Sequence, residues 1–362
     1  MGEPSRPPAN GFVAAARKVY NPVGFSKGYN FILWFIFGGA FLGFLLARLP
    51  YLNLYGVYCS PNPNGALGAL PGECYYYLNF DRYKVGIMLH LYGILFAGLL
   101  ACLQFTPIIR YKALILHRIG GWLAILLSLV GIVGALMIAR RAFGGGMAAQ
   151  AITGVMAIAF LGSLLLAVIN IKRLQIEEHR KWMLRAWFYA GAIITMRIIL
   201  IIAVNITAPL GDYYYAMPCG KVAFTVGSDD LTLALYPACA SYFNGTKPNQ
   251  WTMVTANFAG TDVAQIAAAL DITAGMALWL AFIIHAVGIE IYIHLTPAEH
   301  HRLRGVSYQR QKAAGMRNPG RAGLTADRLG DSEKWMPLEA AEADNKERAA
   351  DASKDSLPAP SD

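Results

Sequence analysis

The chain has 362 residues, of which 56% are hydrophobic and only 15% charged, with 36 glycines and a mean hydropathy of +0.40. That balance excludes an ordinary water-soluble domain, because too few charged side chains remain to cover so much apolar sequence. The net charge of +9 does not indicate a nucleic-acid binder either, since the Lys and Arg follow particular loops instead of forming one basic face.

In chain order, residues 1–28 read as a Pro-rich arm with an interfacial stretch at 11–20 that suits the membrane surface. Apolar runs then fall at 29–49, 85–105, 119–139, 147–170, 184–206 and 264–295. Each matches the roughly 20 helical residues that cross a bilayer. A β-barrel would need alternating segments of about ten residues, whereas these runs are continuous and rich in Leu, Ile, Ala and Gly. The expectation is an all-α integral membrane protein, a bundle of about six transmembrane helices over residues 29–295, in contact with the lipid bilayer of the plasma membrane or an endomembrane. The first run is too long and too late for a cleaved signal peptide and reads as an anchor. From residue 296 to 362 the text turns charged and aromatic-poor, which predicts a disordered cytoplasmic tail.

Threading the helices puts the N-terminus, the 107–118 and 171–183 loops and the tail on one side, with Arg17, Lys18, Lys27, Arg110, Lys112, Arg118, Lys172, Arg173, Arg180 and Lys181. Arg140 and Arg141 are the exception. The positive-inside rule then makes both termini cytoplasmic. Cys59 and Cys74 fall in the 50–84 loop, Cys219 and Cys239 in the 207–263 loop, and Cys102 inside the second run. Four loop cysteines allow three pairings, the most local being Cys59 with Cys74 and Cys219 with Cys239. Asn244-Gly245-Thr246 is a glycosylation sequon in the longer loop. Both features suit an oxidising outer face, where the two loops are expected to form a disulfide-bearing cap.

The ordered set His90-Leu-Tyr-Gly93, Gln104-Phe-Thr-Pro107, His117-Arg118-Ile-Gly120 and His179-Arg180-Lys-Trp182-Met183-Leu-Arg185 resembles the family catalogued as domain of unknown function twenty-three-oh-six. The resemblance covers mainly residues 85–190. It implies an integral membrane protein and brings no established reaction; the cysteine-bearing loops and charged tail are additions suited to a fungal-type member.

Ionisable groups inside spans cost about 2.5–3.5 kcal/mol each on insertion scales, so each needs a reason. Arg197 in the fifth run could neutralise Asp271 of the sixth near His90, giving an expected intramembrane cluster of His90, Arg197 and Asp271. A second layer holds His117, His179, Arg185 and His285 near Gln104. Imidazole is a common haem and metal ligand, so His90, His117, His179 and His285 form the candidate cofactor-binding pool, with haem as the group they could hold. The competing reading makes His117 and His179 membrane-interface anchors beside Arg118, Arg180, Trp182 and Arg185. No His-Glu-x-x-His or phosphate-binding glycine loop occurs, so no zinc site and no catalytic residue is assigned. Haem-linked electron transfer leads. A proton-coupled or small-solute transporter and a structural membrane protein with a buried Arg-Asp-His network stand against it.

Overall fold

A computed structural model describes residues 10–60 and 68–337. Its helices are α1 (Gly11–Tyr20), α2 (Gly28–Leu33), α3 (Gly39–Arg48), α4 (Cys74–Asn79), α5 (Asp81–Gln104), α6 (Pro107–Lys112), α7 (Leu114–Ile138), α8 (Met147–Lys172), α9 (Ile176–Thr207), α10 (Cys219–Val226), α11 (Asp229–Leu235), α12 (Ala240–Phe243), α13 (Val263–His294), α14 (Pro297–Ala313) and α15 (Ala326–Leu329). A π-helical turn at Trp34–Gly38 joins α2 to α3. Among the described residues six segments are long and apolar enough to cross a membrane: Gly28–Leu52, Asp81–Gln104, Leu114–Ile138, Met147–Lys172, Ile176–Leu210 and Val263–His294. These coincide with the six runs expected from hydropathy.

The chain forms two compact units, one comprising Met1–Ile158 with Tyr189–His285 and the other Ala159–Phe188 with Ala286–Asp362. In the first unit, α5 and α7 pack at backbone contact because glycines face each other. A Cβ at Gly93 would lie 2.5 Å from Gly131 N and 2.7 Å from Leu127 O. Small residues give membrane helices this approach, since lipid supplies no hydrophobic drive between them. Gly93→Ala should therefore push the helices apart and cost about 1–3 kcal/mol, the range for overpacking, read as a lowered thermal midpoint of the detergent-solubilised protein. Elsewhere in this unit, Ile152, Met196, Leu200, Leu270, Ala274 and Ala277 share one buried cluster.

The segment after α9 is ordered. Strands β1 (Tyr214–Pro218) and β2 (Trp251–Thr255) pair antiparallel, with Tyr214 opposite Thr255 and Pro218 opposite Trp251. Ser228 caps α11 through the Leu231 N–H, with Asp229 and Asp230 in its first turn, as the helix dipole favours. Disulfides join Cys59 to Cys74 and Cys219 to Cys239. Of the three pairings the sequence allowed, this is the local one. Cys219 and Cys239 lie in a core with Met217, Val222 and Val254, while Tyr75 and Phe224 bring the two disulfide loops together at a ring separation of 6.0 Å.

The second unit departs from the expected tail. Residues 297–313 form α14, and the chain beyond it folds back on the turn between α8 and α9. Ser307 Oγ donates to Glu177 (2.5 Å) and accepts from Ile176 N (2.8 Å), and Gln311 Nε2 donates to Gln175 Oε1 (2.9 Å) and Arg173 O (3.0 Å). A polar network, with Leu303 buried alongside it, fixes this segment, so composition alone misread it as unfolded. Residues 338–362 lie outside the described residues.

Candidate functional site

The densest set of buried ionisable groups in the first unit surrounds the Lys221–Asp271 pair. Lys221 Nζ donates to Asp271 Oδ2 at 2.5 Å, with side chains 1% and 0% exposed. Lys221 comes from α10, two residues after the disulfide cysteine Cys219, and Asp271 from the N-terminal part of α13. Gly72 makes room for the lysine: a Cβ there would meet Lys221 Cε at 2.5 Å. Opposite, Gly144 leaves space for the aspartate, since its Cβ would lie 2.5 Å from Asp271 Cβ and 2.8 Å from the Tyr215 hydroxyl. Tyr215 donates that hydroxyl to Gly144 O at 2.9 Å.

Glu73 completes the constellation. It is buried just before α4, and its carboxylate accepts from Phe143 N (2.7 Å) and Leu70 N (3.3 Å). Phe143 occupies the left-handed region (φ 52) ahead of Gly144 (φ 76), a conformation that costs a non-glycine residue energy and persists where the surroundings demand it. Burial pushes the Glu73 carboxyl up to about 7; the Phe143 N–H opposes this, the charge of Asp271 adds to it, and Lys221 and Arg197 lower it. Tyr58 and Tyr77 are raised well above the usual phenol range, chiefly by burial and then by Glu73. Arg141 stacks over Tyr76 at 4.9 Å. Chemically, two carboxylates and two cations confront each other with phenols alongside, an arrangement suited to holding or moving a proton.

The expected intramembrane trio is distributed differently. Asp271 takes its cation from Lys221, the charge of Arg197 acts on Glu73 and Tyr58, and His90 bonds the Gly131 carbonyl through Nδ1 at 2.9 Å. Arg197 Nε and Asp271 Oδ1 are buried without a hydrogen-bond partner. His285 Nε2 bonds Thr195 Oγ1 at 2.8 Å. His117 stands in the first turn of α7 with Arg118, and Gln104 lies over Gly120, whose Cβ would come within 2.6 Å of its Nε2. In the second unit, His179 Nδ1 bonds Ala167 O at 3.0 Å, Arg180 donates to the Tyr292 hydroxyl at 2.9 Å, and Arg185 grips Glu290 with two bonds (2.6 and 2.8 Å) while lying 4.4 Å from the Trp182 ring. Among the described residues no three His, Cys, Asp or Glu side chains converge as a metal site. Asn244 is exposed and accepts from Thr246 N and Oγ1 at 3.0 and 2.7 Å.

Sequence reasoning missed Lys221 and Glu73. Both lie in loops between spans, where a charge usually means solvent. The available signal was proximity to cysteine: Glu73 precedes Cys74 and Lys221 follows Cys219 by two residues.

Six apolar helices with ionisable groups turned inward define a multi-pass integral membrane protein. Residues 87–223 match the family described as predicted membrane protein, DUF2306. This bears out the resemblance carried by the motifs at His90, His117 and His179. The chain is also 26% identical over 322 residues to Ava biosynthesis cluster protein G of Aspergillus versicolor, an alignment covering 75% of this chain and 90% of the relative. No solved structure matches the chain.

Proposed function

We propose that this is a proton-coupled membrane protein in which the disulfide-braced loops close over Glu73 together with a proton and release that proton when they open. The observation that carries the reading is the burial of Glu73 beside Lys221, Asp271 and Arg197, with its carboxyl held at about 7. Exposed to water, the same group would return toward its ordinary 4.5, so opening near neutral pH expels a proton. With Glu73 ionised the two carboxylates balance Lys221 and Arg197, and with it protonated the cluster carries one net positive charge. The loops act as a cap on the outer face and both termini are cytoplasmic in this reading. Support comes from the Lys and Arg bias of the opposite loops, the two disulfides, and the exposed sequon at Asn244.

The relative's name ties that protein to a biosynthesis cluster, and a role alongside a biosynthetic pathway is what this chain takes from it as a proposal. A second reading makes the cluster purely structural, a clamp between α10 and α13, and the near-complete burial of the Lys221–Asp271 pair favours it. Haem ligation by His90, His117, His179 and His285 draws no distinct support: the Nδ1 bonds of His90 and His179 to Gly131 O and Ala167 O orient those rings whether or not they hold a metal, and His285 Nε2 is engaged by Thr195 Oγ1.

Infrared difference spectra of the protein in nanodiscs, recorded between pH 5 and 9, separate the first two readings. Proton coupling predicts a carboxylic-acid carbonyl band that titrates near 7 and disappears in Glu73→Gln. It also predicts hydrogen exchange in residues 219–226 that quickens on deprotonation in the wild type, measured relative to Glu73→Gln. A titrating band unaffected by Glu73→Gln, or exchange that tracks the variant at every pH, would overturn it.

A further inference from the structure

The second unit contains a basic cavity that the proton-coupled reading does not use. Residues 297–337 hold eight Lys or Arg against four Asp or Glu. Much of the acidic charge is already committed: Glu299 pairs with Arg302 at 2.8 Å, and Asp327 binds both Arg304 (2.6 Å) and Arg321 (3.0 Å). Three of the arginines, Arg317, Arg328 and the already paired Arg321, line a cavity of about 330 Å³ together with Met316, Asn318 and Ala322.

Arg328 is held in place by neutral groups, whereas Arg321 bonds a carbonyl and also pairs with the Asp327 carboxylate. Arg321 Nη2 donates to the Asp327 carbonyl at 2.5 Å, and Arg328 Nη1 donates to the carbonyls of Ala322 and Gly323. Carbonyls orient a guanidinium without cancelling its charge, so the Arg328 fork stays available for a second partner. Arg317, exposed at the rim, adds a second cation beside Arg328, with Arg321 between Asp327 and the cavity. At about 30 Å³ per water the cavity has room for roughly ten, enough for a hydrated tetrahedral anion.

The depth of the cavity follows from its anchoring. Leu324 N donates to Asn170 Oδ1 and Gly323 N to Gln175 Oε1, both at 2.8 Å. Asn170 lies in the last turn of α8 and Gln175 in the turn, residues 173–175, between the apolar helices α8 and α9. The cavity's own loop is therefore bonded to the place where two spans leave the bilayer. Basic pockets at that level meet phosphate headgroups.

We propose that Arg317, Arg321 and Arg328 form a phosphate-binding site at the membrane boundary, filled by the phosphomonoester headgroup of an anionic lipid or by free phosphate. The full-length protein is purified and placed in nanodiscs of phosphatidylcholine with or without phosphatidylinositol phosphate, and lipid retention is read by native mass spectrometry. In a parallel arm the detergent-solubilised protein is titrated calorimetrically with inorganic phosphate. Saturable binding in the first arm alone identifies lipid as the source. Saturation by inorganic phosphate identifies a soluble one.

In either case Arg317→Gln should weaken binding about fivefold, the effect of one basic group near a charged surface, and Arg328→Gln should add to it. Arg302→Gln, whose partner is Glu299, should leave binding unchanged. Arg317 is exposed, so its variant carries the test even where Arg328→Gln loosens the loop. The proposal is overturned if neither probe saturates, if Arg317→Gln binds like the wild type, or if Arg302→Gln loses as much as Arg317→Gln.

Discussion

Lys221→Met should cost about 3–5 kcal/mol of folding stability, the loss expected when one partner of a buried ion pair is removed and the other stays charged without a counterion. Asp271 has nowhere to turn. Its Oδ2 faces Lys221 at 2.5 Å, its Oδ1 is buried without a hydrogen-bond partner, and its side chain is 0% exposed. The double variant Lys221→Met with Asp271→Leu should recover most of that loss, because replacing both charges with apolar groups of similar size is often neutral. Thermal unfolding in detergent, followed by circular dichroism with the disulfides intact, reads both effects. A single variant as stable as the wild type would mean that the pair is hydrated in solution and would remove the basis for a sealed cluster. The double variant also separates stability from proton coupling, since it leaves Glu73 in place.

The six spans were legible because crossing a bilayer imposes a length and a composition that appear directly in the text, as the runs at 85–105 and 147–170 illustrate. The disulfides were legible as candidates, and only the fold chose among the pairings. The composition of the cluster was not readable. Asp271 stood out because a carboxylate inside a span demands a cation, and Arg197 was the cation that hydropathy offered within the spans. The cation that answers is Lys221, brought back by a loop of more than fifty residues that builds β1, β2 and three short helices. Nothing local in Gly220-Lys221-Val222 announces burial, since the space comes from Gly72 in a different loop. The order of residues 297–313 escaped for a related reason: Ser307, Gln311 and Arg304 look like surface residues until Glu177, Gln175 and Asp327 are placed against them.

The pH dependence of stability provides the second large effect, and its sign follows from Glu73. Burial raises the carboxyl from 4.5 to about 7, so between those values the folded protein holds a proton that the unfolded chain has released. Stability from this group is fully present below about 4.5 and is lost as the pH rises through about 7. A separation of about 2.5 pH units at about 1.4 kcal/mol each makes the total about 3.5 kcal/mol. His300 works in the opposite direction. Burial, with Lys181 and Arg304 nearby, lowers it from 6.5 to about 4, so its contribution is lost as the pH falls through that range. Asp327 is pushed upward by burial, but Arg304 and Thr325 bonds prevail and hold it at about 2, which places its effect below the window. The raw stability curve therefore mixes opposing slopes. The difference between the wild type and Glu73→Gln cancels His300 and isolates Glu73. Glu73→Gln should gain on the wild type as the pH rises from 4.5 to 8, by up to about 3 kcal/mol, because the amide stays neutral where the carboxylate must ionise in a buried site. Unfolding of both proteins in the same detergent at pH 5, 6, 7 and 8 measures this. A difference that stays flat across the series would place Glu73 in water rather than against Phe143, and the sealed proton site would be lost with it.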